Sequence, residues 1–239
     1  MTEMFEGRKI VLKSMVGSWA SHLNTSESDK DWKYFVTPTF DDLYTGKMFA
    51  TASVSSTFDY DVHDIRQLGN LLWKANINFI AVLFGFEHSC DPELRWIFDH
   101  AEDLAIMNLP YFYNATMGMH REKMSKLSKG TSNTQVLVDT YGYDTKQACH
   151  AMRCLYVLER YMHCGNMRFA LWFENGWYRD TLINIKRGWL SLDEFNSCVD
   201  AWHVDFDAVT NEWYKSHSAK EYVKNELDSR IKDFIRKNL

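Results

Sequence analysis

The stretch KIVLKSMVGSWASHLNTSESDKDWKYFV, residues 9–36, decides the fold of the N-terminal region. Its first eight residues are apolar and β-branched enough to predict a strand, and Gly17 and Ser18 follow where that strand ends. Gly17 allows backbone N–H groups to approach an anion closely, and the Ser18 hydroxyl adds a hydrogen-bond donor. This arrangement is typical of a turn that holds a phosphate.

Two carboxylates, Asp29 and Asp31, begin the second strand-like run, DKDWKYFV. Side chains two apart on a strand share a face, so these carboxylates lie on one face with Cα atoms roughly 7 Å apart. Oxygen ligands so placed favour one or two magnesium ions that carry a nucleoside triphosphate. The sequence therefore predicts a metal site that follows the phosphate-holding turn.

A third carboxylate is expected on the strand-like run FDYDVHD, residues 58–64. Asp59, Asp61 and His63 share one face of such a strand, whereas Asp64 faces away and is expected to cap the helix that follows. The spacing leaves Asp59 and Asp61 as equal candidates for the third ligand. His63 is expected to be a neighbour of the site and not a ligand.

The hydrophobic periodicity predicts an α+β fold: a small mixed sheet with flanking helices, followed by a mainly helical C-terminal half. Strands are expected near residues 9–16, 31–37, 48–54 and 58–63, with a helix after Asp64. Beyond Pro92 we expect helices over 93–107, 114–129, 145–164, 191–214 and 220–237. A β-hairpin is expected at 168–173 and 177–182, around the turn signal Asn175-Gly176.

Lys146, His150 and Arg153 fall at i, i+4 and i+7 on the predicted helix 145–164. They lie on one face and span roughly 10 Å, which is the length of a triphosphate. Cations there would offset the charge of a leaving pyrophosphate. The alternative is a basic stripe that faces solvent.

Composition limits the function classes. A formal net charge of −5 over 239 residues argues against a protein that coats nucleic acid. The five cysteines form no CxxC pair, which favours free thiols over disulfides or zinc.

The N-terminus lacks an apolar signal and the longest apolar run, INFIAVLFGF, is too short to span a bilayer, so we expect a cytoplasmic protein without a membrane partner. ATPase P-loop, esterase elbow and zincin motifs are absent from the sequence.

The Gly-Ser turn, the Asp-x-Asp strand about ten residues later and the third acidic strand resemble the signature of the polymerase-beta-like nucleotidyltransferase superfamily. Three further stretches resemble its stand-alone branch of predicted nucleotidyltransferases from bacteria and phages. They are STFDYDVHDIRQLGNLLWKANINFIAVLF (56–84), GYDTKQACHAMRCLYVLERYMHCGN (142–166) and LINIKRGWLSLDEF (182–195). The resemblance covers most of residues 8–200.

The resemblance implies an enzyme that moves an NMP from an NTP such as ATP to a hydroxyl of RNA, a protein or a small molecule, and releases pyrophosphate. Two Mg²⁺ ions, or Mn²⁺ instead, would be held by Asp29, Asp31 and either Asp59 or Asp61, with the third carboxylate as general base. Nucleotide binding would fall to the residues Gly17, Ser18, Lys146, His150 and Arg153. Residues 1–90 would form the catalytic core, and residues 91–239 the helical half that completes a nucleotide cleft.

The chain departs from this pattern at two positions. Trp19 stands where the family has an arginine, and Ala81 where it has a glutamate. These departures favour an alternative, a catalytically impaired module of the same fold that binds a nucleotide or RNA. A third alternative, a structural protein of a phage or its host, is supported only by the aromatic-rich composition. The oligomeric state is left open.

Overall fold

The structure, a computed structural model, describes residues 4–26, 28–53, 58–131 and 134–239. The chain divides into two compact units. Unit 1 comprises Met1–Asn108 with Ala219–Leu239, and unit 2 comprises Leu109–Ser218. The units therefore divide after Asn108 and not after the predicted residue 90, because residues 91–108 and the last helix pack within unit 1.

Unit 1 is built on a mixed sheet of six strands within the described residues, in the order β1-β2-β3-β5-β4, with β6 paired to β2. The strands β3 and β5 are parallel and the other pairs are antiparallel. The strands are β1 Met4–Phe5, β2 Arg8–Met15, β3 Lys30–Val36, β4 Ala50–Ser53, β5 Phe58–Asp64 and β6 His88–Cys90. A buried cluster of Val36, Phe49 and Val62 packs on one face of this sheet.

Short helices connect and cover these strands. They are α1 Gly17–Ala20, α2 Phe40–Thr45, α3 Leu68–Trp73, α4 Ile77–Ile80, α5 Trp96–Asp99 and α6 Ala101–Ala105, with 3-10 turns at Ile65–Gln67, Ala81–Phe84 and Pro92–Leu94. Asp64 caps the first of these turns as predicted, because its side chain accepts a hydrogen bond from Arg66 N. The predicted single helix over 93–107 is wrong, since His100, with φ −113°, interrupts it between α5 and α6.

The secondary structure of the described residues of unit 2 consists of helices joined by short connections. Its helices are α7 Leu109–Met124, α8 Gln135–Tyr141, α9 Thr145–Cys164, α10 Met167–Leu171, α11 Trp177–Lys186, α12 Leu192–Trp202 and α13 Ala208–Lys215, with a π-helical turn at His203–Asp207 between the last two. The last helix of the chain, α14 (Glu221–Asn238), belongs to unit 1 and packs on α3 and α6. The α+β fold with a mainly helical C-terminal half is confirmed.

The central helix of unit 2 is α9, which is buried over most of its length. Asp144 caps its first turn by accepting from Gln147 N at 3.0 Å. Near its end, Glu159 Oε2 accepts from Trp202 Nε1 at 3.0 Å, and Arg160 Nη2 donates to the carbonyls of Phe169 and Trp172. These buried polar contacts tie α10 and α12 to α9.

The predicted β-hairpin at 168–173 and 177–182 is wrong, because both segments are helical. Asn166 caps α10 by accepting from Phe169 N at 2.7 Å. In α11, Leu182 and Ile185 are fully buried where the helix packs on α9. Gly176 (φ +99°) precedes α11 instead of forming a hairpin turn. Tertiary burial thus overrides the Asn-Gly turn signal.

A buried ion pair fixes the start of β2 to α2. Arg8 Nε and Nη2 donate to the two carboxylate oxygens of Asp42, both at 2.8 Å. Asp42 also completes a capping box with Thr39. The hydrogen bonds from Arg8 hold the pKa of the Asp42 carboxyl well below its usual range, against the opposing effect of burial. Asp42 is therefore ionised at neutral pH, and its charge stabilises this end of the sheet through the pair with Arg8.

We predict that Asp42→Asn lowers the free energy of unfolding by about 3–5 kcal/mol at pH 7, because it leaves the Arg8 guanidinium without its buried counter-charge. Asp41→Asn, at the exposed neighbouring position, is the control and should change it by less than about 0.5 kcal/mol. Because the folded-state pKa is lowered, the difference between wild type and Asp42→Asn should shrink as pH falls below 3.8. Urea unfolding at several pH values measures it, and equal losses in the two variants would refute the role of the pair.

Candidate metal centre

Three carboxylates converge at one end of the parallel strand pair. Asp31 on β3 lies directly beside Asp59 on β5 in the strand register, and Asp29 precedes β3 by one residue. One oxygen from each of the three carboxylates lies within 4.8 Å of the other two, and all three residues are half-buried. The shared face predicted for Asp29 and Asp31 therefore extends across the neighbouring strand to Asp59.

The turn after β2 lies directly against the three carboxylates. Val16 N donates to Asp31 O at 2.8 Å and brings the two strands together at their ends. Gly17 follows with φ +67°, and a Cβ at this position would lie 1.9 Å from Asp31 Oδ2. Glycine is required here for two reasons, since the left-handed φ disfavours other residues and no side-chain atom fits against the carboxylate.

Ser18, the second residue of the predicted phosphate-holding turn, carries a buried hydroxyl. Its Oγ makes no hydrogen bond within the residues that the structure describes. A buried hydroxyl without a partner costs free energy, and native structures tolerate this at few positions. A ligand atom at the turn would satisfy it, which is what the sequence predicts for Ser18.

Trp19 occupies the position where the resemblance leads one to expect an arginine. Its indole Nε1 donates to the backbone carbonyl of Asp29 at 3.1 Å, and its ring packs against Phe86 with centroids 5.6 Å apart. Trp19 thus positions the backbone of Asp29, the first carboxylate of the triad. The sequence motifs did not predict this role.

Asp61, the other candidate for the third carboxylate, has different partners. Lys33 Nζ lies 2.5 Å from its Oδ2 and His63 Nε2 lies 2.9 Å from its Oδ1. Burial alone would raise the pKa of the Asp61 carboxyl, but hydrogen bonds from His63 and Lys33 lower it to about 2. The structure places Asp59, and not Asp61, with Asp29 and Asp31. His63, which was expected beside the metal site, contacts Asp61 instead.

Lys33 is a cation on this face of the sheet that the sequence motifs did not indicate. It lies two residues after Asp31 on the same face of β3, and the parallel register pairs it with Asp61. Its ammonium group also lies 4.5 Å from the centroid of the Phe79 ring. The alternation of side chains along β3 is enough to place Lys33 on the same face as Asp31. It does not identify Asp61 as the partner of Lys33.

The predicted phosphate-binding cations lie on α9 in unit 2. The helix presents Lys146, His150 and Arg153 along one face, with Lys146 exposed, His150 half-buried and Arg153 only 8 % exposed. Because Arg153 is buried, the three residues do not form a basic stripe that faces solvent along its whole length. Burial, followed by the charges of Arg153 and nearby lysines, lowers the pKa of the His150 imidazole well below its usual value.

Comparison of the chain with protein-family models, with curated proteins and with solved structures finds no match. The resemblance to nucleotidyltransferases therefore rests on the sequence motifs alone. Among the described helices, none has both the length and the apolar composition needed to cross a bilayer.

If the triad holds a divalent cation such as Mg²⁺, we predict that Gly17→Ala abolishes its binding, because the added Cβ displaces Asp31 from the triad. Gly46→Ala is a matched control: Gly46 has a similar φ of +70°, but a Cβ there meets no atom within 4 Å. Both variants should lose about 1–2 kcal/mol of stability from the left-handed φ, and only Gly17→Ala should lose the metal. Calorimetric Mg²⁺ titration with urea unfolding tests this, and Mg²⁺ binding of wild-type strength by Gly17→Ala would contradict it.

Proposed function

We propose that the protein is a metal-dependent nucleotidyltransferase that moves an NMP from an NTP to a hydroxyl acceptor. The observation that carries the proposal is the convergence of Asp29, Asp31 and Asp59 beside the Gly17 turn. Carboxylates on neighbouring strands next to a glycine turn combine ligands for a divalent cation with backbone groups that suit a phosphate.

The residues present fit a hard divalent cation. Oxygen atoms on opposite sides of one Mg²⁺ ion are about 4.2 Å apart, so carboxylates within 4.8 Å of one another need only small rotations to share it. Three anions this close also repel one another, and a bound cation relieves that repulsion. We infer that Asp29, Asp31 and Asp59 hold Mg²⁺, with Mn²⁺ as the alternative.

When bound, the metal would supply positive charge to the phosphates and favour ionisation of the acceptor hydroxyl. The remaining steps fall to residues of this chain. Backbone N–H groups at Gly17 and the Ser18 hydroxyl would donate hydrogen bonds to the phosphates. A carboxylate oxygen of Asp59 would accept the proton of the acceptor hydroxyl. The acceptor oxygen then bonds to the α-phosphorus, the bond from that phosphorus to the β-phosphate oxygen breaks, and pyrophosphate leaves.

One observation favours a second candidate, a module that binds a nucleotide or RNA without turnover. Trp19 stands where the family pattern has an arginine, and its indole is engaged with the Asp29 carbonyl. A cation that would stabilise transferring phosphates is therefore replaced by an aromatic side chain. The two candidates differ in one measurable respect, because only the enzyme releases pyrophosphate.

We predict that Asp29→Asn and Asp31→Asn each reduce transfer on the order of 10²-fold or more, because each removes an anionic ligand from a site that acts mainly by electrostatics. The assay incubates the protein with labelled NTPs, Mg²⁺ and fractionated cell RNA, protein and metabolites, and follows label incorporation and pyrophosphate. Asp41→Asn, at an exposed acid of unit 1, is the control and should retain wild-type transfer.

Turnover at the wild-type rate by Asp29→Asn or Asp31→Asn would contradict the inference that these carboxylates hold the metal ion. Binding of labelled NTP without pyrophosphate release from any fraction would favour the binding module over the enzyme.

A further inference from the structure

The segment that leads into β6 lies tightly against the end of β2. A Cβ added at Gly85 would lie 2.8 Å from Met15 O, closer than side chains approach a carbonyl oxygen. Phe86 N donates to Met15 O at 3.0 Å, and Met15 N donates to Glu87 O at 2.8 Å. These contacts fix the backbone of Phe86 beside the strand end from which the Gly17 turn begins.

The Phe86 side chain is 47 % exposed at this fixed position. Its ring centroid lies 5.6 Å from that of Trp19, with 54° between the ring planes. The Trp19 indole in turn donates to Asp29 O at 3.1 Å, and Lys30 Nζ lies 5.9 Å from the centroid of the Trp19 ring. Direct contacts therefore connect an exposed aromatic ring with the first carboxylate of the triad.

An exposed aromatic ring is not unusual by itself, because single apolar residues are common on protein surfaces. Phe40 of α2 is 72 % exposed and stacks on Tyr44, at a place where no contact connects it with the triad in the part of the chain that the structure describes. Phe86 differs in being connected to the triad through Trp19. A fixed aromatic surface beside a charged site suits a ligand that carries both a planar ring and an anionic group.

We propose that Phe86, supported by Trp19, is the surface on which the base of a nucleotide stacks while its phosphates lie at the Gly17 turn. The order of the groups matches that of a nucleotide. The triad and the turn suit a metal ion and phosphates, and the buried Ser18 hydroxyl, which has no partner among the described residues, suits a phosphate oxygen. The aromatic pair, one side chain further away, suits the base.

Stacking recognises the aromatic face that every nucleobase has, so this contact selects for a base and not for one particular base. The inference deepens the proposed function and rests on it, because that function supplies the nucleotide and places its phosphates at the Gly17 turn. Binding of the base requires no transfer, and it can therefore be measured separately from the reaction.

The test is calorimetric titration of the full chain with ATP and with tripolyphosphate, each in Mg²⁺. Phe86→Ala should weaken ATP binding at least about fivefold, because it removes the stacking surface, and should leave tripolyphosphate binding unchanged. Phe86→Tyr keeps the ring and should bind ATP as wild type does. Phe40→Ala removes an exposed ring far from the triad in sequence, and it is the control that should not change either affinity.

Equal ATP affinities of wild type and Phe86→Ala, or no ATP binding by wild type, would overturn the inference. Equal losses for ATP and tripolyphosphate would also overturn it, since Phe86 would then only support the fold of the site. Binding of a single-stranded oligonucleotide, but not of ATP, that depends on Phe86 would overturn it in favour of a base of an RNA acceptor.

The same variants separate this inference from the proposed function. If ATP binding depends on the Phe86 ring while no cell fraction accepts an NMP, the inference stands and the proposed transfer fails. If NMP transfer occurs and ATP binds equally well to Phe86→Ala, the inference alone fails.

Discussion

The close approach of Gly17 to the carboxylate of Asp31 is the constraint on which the candidate metal centre depends. The Val16–Asp31 hydrogen bond draws the ends of β2 and β3 together, and the left-handed Gly17 then leaves no space for a side chain between the turn and the carboxylate. The parallel pairing of β3 with β5 brings Asp59 beside Asp31. The Gly17 turn and the three carboxylates thus take their positions from the same strand arrangement.

The carboxylates on one face of strands β3 and β5 fall into two groups with different surroundings. Asp29, Asp31 and Asp59 lie together near the strand ends, where a cation would relieve their repulsion. One step along the same strands, Asp61 already has Lys33 and His63 as counter-groups and remains ionised, as its lowered pKa requires. The converging oxygens of the triad are the part of this face whose geometry suits a divalent cation.

Local signals predicted much of this architecture. The strand before Gly17, the strand after Asp29 and the capped helix that begins after Asp144 all carry strong short-range patterns, and all are present. The choice between Asp59 and Asp61 could not be predicted, because both share one face of β5. The parallel register and the partners of Asp61 decide it, and both depend on residues distant in sequence.

The errors have the same origin. The Asn-Gly signal near residue 175 predicted a hairpin, but burial of α11 against α9 stabilises helices on both sides of it. The expected helix over 93–107 is likewise divided, because the backbone at His100 separates α5 from α6. Helix periodicity reveals one face of one helix and not its neighbours.

The central claim is that Asp29, Asp31 and Asp59 bind a divalent cation. Electron paramagnetic resonance of Mn²⁺ titrated into wild type, Asp59→Asn and Asp61→Asn tests it most directly, because it reports free and bound ion without any acceptor. Asp59→Asn should weaken Mn²⁺ binding at least about tenfold, the loss typical of removing even an outer-shell partner. Asp61→Asn should bind Mn²⁺ as wild type does. Undiminished binding by Asp59→Asn, or no binding by wild type, would contradict the account.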